Sequence, residues 1–61
     1  MVGSVIKQKR EEKNWTQEFL AEIVGVKRNT ICTYETGDRK PRGKTAKKIA
    51  VILEIPLEQI I

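Results

Sequence analysis

Histidine is missing from this 61-residue chain, and cysteine and serine each occur once. Zinc sites need several histidine or cysteine ligands, and a nucleophile needs a base beside it, so neither arrangement can be built from Cys32 or Ser4. No glycine-rich phosphate-binding loop occurs, and the carboxylates are scattered over polar positions. We therefore expect no enzyme activity, no metal and no cofactor. Cys32 is interpreted as a small, half-buried apolar residue, because a redox switch would require an activated thiolate.

Long apolar runs are also missing, and none approaches the roughly 20 residues that a membrane helix needs. The first ten residues, MVGSVIKQKR, lack the apolar core of a signal peptide. A chain of this length forms one domain at most and buries only about 60% of its unfolded surface. With 39% hydrophobic and 33% charged residues, the composition predicts one folded domain over 1–61, located in the cytoplasm.

Positive charge is concentrated in one part of the chain. Positions 27–48 contain eight basic and two acidic residues, whereas the rest contains four basic and six acidic ones. A polyanion is bound by such a concentrated basic region. The alternative is an ordinary solvated surface. Nucleic acid is favoured because the basic region overlaps the motif described next.

The stretch from Gln17 to Thr36 predicts two short helices joined by a tight turn. Gly25 tolerates the left-handed conformation that ends a helix, and the small Ala21 lets the next helix cross nearby. Apolar residues recur at helical spacing on both sides of Gly25, namely Leu20, Val24, Val26, Ile31 and Tyr34. Together these features form a helix-turn-helix pattern.

Further helices are predicted on both sides of this motif. We expect helices at about 4–13, 17–24, 28–36 and 44–53, and a final helical turn over 57–61. Asn14 and Gly37 are expected to end the first and third helices, and Thr16 to cap the second. Trp15 is expected to pack between the first two helices, with nucleobase stacking as the weaker alternative. The core stripe of the fourth helix is predicted to be Ala46, Ile49, Ala50 and Leu53.

The segments IKQKR, TQEFLAEIVGVKRNTICTYETG and KIAVILEIPLEQI resemble the phage repressor and Cro type of helix-turn-helix domain, an Xre-like family that includes the lambdoid 434 repressor. The resemblance covers nearly the whole chain. It implies a compact, all-α, five-helix fold of the lambda-repressor type. In such domains the second helix crosses the DNA backbone and the third enters the major groove.

The resemblance also implies positions for DNA contacts. The expected base-reading residues are Lys27, Arg28, Asn29 and Thr33. Arginine pairs with guanine, asparagine pairs with adenine, and threonine bonds a base or touches a thymine methyl group. The expected phosphate-binding residues are Arg10, Gln17, Arg39, Lys40, Arg42 and Lys44. An ion pair between Arg10 and Glu35 is implied as well and would orient Arg10 toward a phosphate. The alternative is a surface pair worth about 0–1 kcal/mol.

These residues support the hypothesis of a sequence-specific transcriptional regulator, with repression as the favoured role. One such domain contacts only a few base pairs, so we expect a homodimer on a two-fold symmetric DNA operator. Its interface is predicted at the apolar C-terminus, at Leu57, Ile60 and Ile61. The alternative is that Leu57 and Ile60 fill the core. No small-molecule ligand and no membrane partner are indicated.

Phe19 and Ile23 depart from the family pattern, because their positions are commonly polar there. The favoured interpretation is that they pack beneath Met1 and Val2 or beside Cys32. The alternative is a partner-binding ridge, which would make the chain a protein-interaction module such as an antirepressor or antitoxin. A third hypothesis is nonspecific nucleic-acid binding through the basic loop, with an affinity that changes with salt but not with base sequence.

Overall fold

The computed structural model describes residues 2–60, which form four α-helices and one 3-10 turn. The elements are α1 (Val2–Glu12), α2 (Gln17–Val24), α3 (Arg28–Thr36), α4 (Gly43–Leu53) and the 3-10 turn Leu57–Gln59. The described residues contain no strand, so the all-α prediction is confirmed. The predicted fifth helix is wrong. Ile55 and Ile60 are both buried, and the four residues between them fit only one tight turn.

Local capping fixes the ends of the helix-turn-helix. The Thr16 hydroxyl oxygen accepts a hydrogen bond from the Phe19 N–H at 3.0 Å and caps α2, as predicted. Gly25 ends α2 with a φ of 88°, and its N–H donates to the Ala21 carbonyl at 2.8 Å. Lys27 precedes α3 without a side-chain cap. The predicted turn at Gly25 is confirmed.

The core lies where α3 packs extensively against α1 and α2, and α4 makes smaller contacts with α1 and α2. The fully buried large aliphatic side chains are Ile6, Leu20, Ile31, Ile49, Leu53 and Ile60. Removing one such side chain from water stabilises the fold by about 1.5–3 kcal/mol. The stripe predicted for α4 is confirmed, because all four of its residues are buried.

Gly3 allows α1 to cross very close to the end of α3. A Cβ atom at Gly3 would lie 2.5 Å from the carbonyl oxygens of both Tyr34 and Glu35. Backbone atoms cannot move aside as a flexible side chain can, so a glycine is needed at this crossing. One end of α1 is therefore held against the backbone of α3.

The C-terminal segment contributes to the core more than the sequence suggested. Ile60 is fully buried, so it presents no surface to a partner, and its predicted place in a dimer interface is corrected to a core position. Leu57 remains 38% exposed. Ile61 lies outside the described residues. Among the described helices, none has the length and apolar character needed to cross a membrane.

Candidate nucleic-acid interface

The first turn of α3 projects polar side chains into solvent. Arg28 and Asn29 are exposed there, and Lys27 is exposed directly before the helix. Thr33 follows Asn29 by four residues, so the two side chains lie on one face of α3. The predicted base-reading residues therefore lie on α3 and directly before it, from Lys27 to Thr33.

The Thr33 hydroxyl donates its proton to a hydrogen bond within α3. Its hydroxyl donates to the Thr30 carbonyl at 2.7 Å, and the side chain is half-buried. A hydroxyl carries one donor and two acceptor lone pairs. Thr33 therefore presents an acceptor and a methyl group to a neighbouring molecule.

A buried ion pair joins α1 to α3. The Arg10 Nε donates to Glu35 Oε2 at 2.7 Å, and an Arg10 Nη atom donates to Oε1 at 3.1 Å. Arg10 is 8% exposed and Glu35 is 9% exposed. The predicted pair is present, and the alternative of a surface pair is wrong. The hydrogen bonds that Arg10 donates to Glu35 raise the pKa of Arg10, and desolvation by burial opposes this effect.

The same network reaches the start of α2. The Gln17 Nε2 donates to Glu35 Oε1 at 3.0 Å, while Arg10 also donates to the Trp15 carbonyl at 2.6 Å. A glutamine amide has two N–H donors, so Gln17 keeps one after bonding Glu35. Arg10 is buried and donates three hydrogen bonds to protein atoms, and it shares Glu35 as an acceptor with Gln17. Its predicted phosphate contact stays a prediction.

A basic concave site lies beside the C-terminal end of α3. It encloses about 200 Å³ and is lined by Tyr34, Arg39, Lys40 and Arg42. Three of these four residues are cations, which suits an anion of phosphate size. The predicted loop residues are thus brought together. Lys44 is exposed in the first turn of α4 but does not line this site.

The loop is bonded to α3 at Arg39 and contains one buried residue among its basic ones. The Arg39 N–H donates to the Thr33 carbonyl at 3.2 Å, and Pro41 is buried. Tyr34 was predicted from the sequence to face the core between the helices, but its position beside the basic loop was not predicted. The signal was weak, because a tyrosine at a core position differs from other apolar residues only by its hydroxyl.

The outward face of α3, the amide of Gln17 and the basic loop define a helix-turn-helix domain with a candidate nucleic-acid-binding surface. The chain belongs to the helix-turn-helix family HTH_3, whose model matches residues 6–60. The family predicted from the sequence is therefore confirmed.

Relatives extend across phages, bacteria and archaea. The chain is 33% identical over all 61 residues to the "Cryptic phage CTXphi transcriptional repressor RstR" of Vibrio cholerae, and it covers 55% of that protein. It is 46% identical over 55 residues, 90% of the chain, to an "Uncharacterized HTH-type transcriptional regulator" of Archaeoglobus fulgidus, covering 78% of it. It is 34% identical over 56 residues, 92% of the chain, to the "ImmF control region 10 kDa protein" of Bacillus phage phi105, covering 62% of that protein. The chain thus spans just over half the length of RstR.

Proposed function

We propose that this chain binds double-stranded DNA as the recognition domain of a transcriptional regulator, with repression as the favoured role. The observation that carries the proposal is that two other segments with side-chain donors are anchored to α3. The Gln17 amide is bonded to the Glu35 side chain, and the Arg39 backbone N–H is bonded to the Thr33 carbonyl. Phosphate contacts made from both places would hold α3 in the major groove.

The exposed first turn of α3 supplies the proposed sequence recognition. Arg28 donates to the two acceptors of guanine, and Asn29 bonds the adenine edge. Thr33 accepts a hydrogen bond from a base amino group or contacts a thymine methyl group, because its own proton is used within α3. Lys27 adds a third exposed donor directly before the helix.

The basic loop and Lys44 supply the proposed positioning contacts. Lys44 is exposed at the start of α4, next in the chain after the loop that carries Arg39, Lys40 and Arg42. Charges that bind phosphates raise affinity for every sequence and make that affinity depend on salt.

We further propose that the regulator acts in the cytoplasm as a homodimer on a two-fold symmetric operator. The names of two relatives, a transcriptional repressor and an HTH-type transcriptional regulator, support the regulatory role. Two copies would place their α3 helices in successive major grooves, about 34 Å apart.

Selection of bound duplexes from a random DNA pool tests this function. The wild-type chain is compared at one salt concentration with the variant Arg28→Ala, Asn29→Ala and with the control Lys7→Ala, Gln8→Ala. The control removes one cation and one amide from exposed positions on α1. We expect wild type and control to enrich one site, and the α3 variant to bind it at least ten-fold more weakly, since each bidentate base contact is worth about 1–3 kcal/mol. Failure of the wild type to enrich any sequence contradicts the proposal.

Exposure of the ridge formed by Phe19 and Ile23 supports a second candidate, a protein-interaction module of the antirepressor or antitoxin kind. Binding of such a protein partner would not be changed by Arg28→Ala and Asn29→Ala. It would instead be lost on Phe19→Gln with Ile23→Gln, measured as loss of a co-purifying protein partner.

A further inference from the structure

An apolar groove lies between α2 and α4, away from the residues assigned to DNA. It has a volume of about 390 Å³ and is lined by Ile23, Lys47, Lys48, Val51 and Ile52. Val51 is 78% exposed, the highest value among the large hydrophobic residues of the described chain. An aliphatic side chain so exposed beside other apolar groups marks an interaction surface.

The apolar surface continues along α2. Phe19 lies one helical turn before Ile23 and is also exposed. Its ring packs against Trp15 with 5.2 Å between the ring centroids, so it is held in place at the surface. None of Phe19, Ile23 and Val51 belongs to the proposed base or phosphate contacts.

The helices on the two sides of the groove carry exposed charges of opposite sign, and the charged residues that line the groove itself, Lys47 and Lys48, are both basic. Glu18 and Glu22 are the only charged residues of α2, and α4 contains three lysines and no acidic residue. Glu22 is exposed next to Ile23, while Lys47 and Lys48 line the groove on α4. The exposed face of α2 is therefore acidic and apolar, and the exposed face of α4 is basic and apolar.

Such a surface is complementary to itself. A two-fold rotation places α2 of one copy beside α4 of the other, and α4 of the first beside α2 of the second, so the exposed glutamates of α2 meet the lysines of α4 at both contacts. Like-charged residues are kept apart in this arrangement, which favours it over other orientations. The charge pattern therefore argues for a second copy of this chain as the occupant.

We propose that this groove is the dimer interface, with α2 of each protomer lying along α4 of the other. Ile23 packs against Val51 across the interface, and Glu22 pairs with Lys47 and Lys48. The inference rests on the homodimer of the proposed function and names its surface. It also relocates the interface from the C-terminal segment, where Ile60 is buried within its own chain.

The size of the surface limits the strength of the dimer. A stable interface covers about 800 Å² on each partner, a large share of the 4216 Å² that the chain exposes. The groove and the α2 ridge offer few exposed large apolar side chains, namely Phe19, Ile23 and Val51, so we expect micromolar rather than nanomolar dissociation. DNA carrying two adjacent half-sites would strengthen the dimer by raising the local concentration.

Sedimentation equilibrium of the free chain, without DNA, tests the proposal. We expect wild type to dimerise and Val51→Asp to weaken dimerisation at least ten-fold. The matched control is Leu57→Asp, another exposed hydrophobic residue, which should dimerise as wild type does. If Leu57→Asp abolishes the dimer and Val51→Asp does not, the C-terminal segment is the interface and the proposal is wrong.

Charge exchange provides a second test that leaves the apolar contact intact. Glu22→Lys should weaken the dimer at least five-fold. Combining it with Lys47→Glu and Lys48→Glu should restore most of the dimer affinity, because the new lysine on α2 then meets the new glutamates on α4 of the other copy. If the combined variant does not regain dimer affinity, or if the wild type stays monomeric at millimolar concentration, a second copy is not the occupant of the groove. The remaining occupant would then be an acidic helix of another protein.

Binding to a single half-site separates this inference from the proposed function. Fluorescence anisotropy should give Val51→Asp and wild type the same half-site affinity within two-fold, since Val51 lies outside the DNA contacts. A wild type that dimerises through the groove but binds no selected DNA would contradict the regulator and not the interface. Circular dichroism of each variant confirms that it is folded.

Discussion

Arg10 and Glu35 lie 25 positions apart in the sequence and form a buried, bidentate ion pair. Breaking a buried pair leaves one charge without compensation, at a cost of about 3–5 kcal/mol. We expect Glu35→Gln to lower the free energy of unfolding by that amount, measured by urea denaturation. Glu12→Gln is the control, because it breaks the exposed Lys9–Glu12 pair, worth about 0–1 kcal/mol. Equal effects of the two changes would show that burial of the pair does not matter.

The pH dependence of this pair follows from the raised pKa of Arg10. A cation whose pKa is raised on folding contributes stability at every pH below its unfolded value, and this stability is lost only as pH rises through the folded value. We therefore expect the pair to persist well into alkaline solution. In Arg10→Lys the cation has an ordinary pKa of about 10.4. The difference in melting temperature between wild type and this variant should widen between pH 7 and pH 11, and a constant difference would contradict the argument.

Replacing Gly3 by alanine should destabilise the fold although alanine is the better helix former. In an unobstructed helix this change stabilises by about 0.5–1 kcal/mol. Here the new methyl group would meet two carbonyl oxygens of α3, so we expect a net loss of about 1–3 kcal/mol. Ser4→Ala, at the exposed neighbouring position, should change stability by about 0.5 kcal/mol or less. A stabilised Gly3→Ala variant would show that α1 and α3 are not in such close contact.

The cap of α2 gives a smaller effect that can be tested cleanly. Thr16→Ala removes the acceptor for the Phe19 N–H and should cost about 1 kcal/mol in thermal or urea unfolding. Thr16→Ser keeps the hydroxyl and should retain most of the stability. If serine is as destabilising as alanine, the methyl group of Thr16 and not its hydroxyl supports the helix.

The loop cations should set affinity without setting sequence preference. Each of Arg39→Ala, Lys40→Ala and Arg42→Ala should weaken binding to all duplexes alike and reduce the slope of log affinity against log salt by about one. Asn29→Ala should change the preferred sequence and leave the slope nearly unchanged. Measurements on one selected and one scrambled duplex over a salt series distinguish the two classes. A loop variant with an altered sequence preference would contradict the assignment.

Local signals explain what the sequence predicted correctly. Thr16, Gly25 and Gly37 each act within a few residues of their own position, so capping preferences were sufficient to place the ends of α2 and α3. Helical spacing likewise identified the buried face of α4. The family resemblance gave the Arg10–Glu35 pair, which spacing alone would not reveal.

The sequence did not predict several features that depend on how the helices pack against one another. Nothing near Gly3 in the sequence indicates that two carbonyl groups of α3 lie against it. Burial of Ile60 depends on the chain turning back after Pro56, which propensity does not encode. The expectation that Phe19 packs beneath Met1 and Val2 or beside Cys32 stays a prediction, and its contact with Trp15, with the two rings tilted by 58°, was missed. Met1 lies outside the described residues.

Trp15 makes the junction of α1 and α2 visible to fluorescence without a label. It is the chain's single tryptophan, its ring contacts Phe19, and the Lys13 ammonium lies 5.5 Å from its centre. Its carbonyl is bonded to Arg10, so the indole is attached to the buried network that joins three helices. The emission of this one residue therefore monitors the integrity of the scaffold that positions α3, with no background from a second indole.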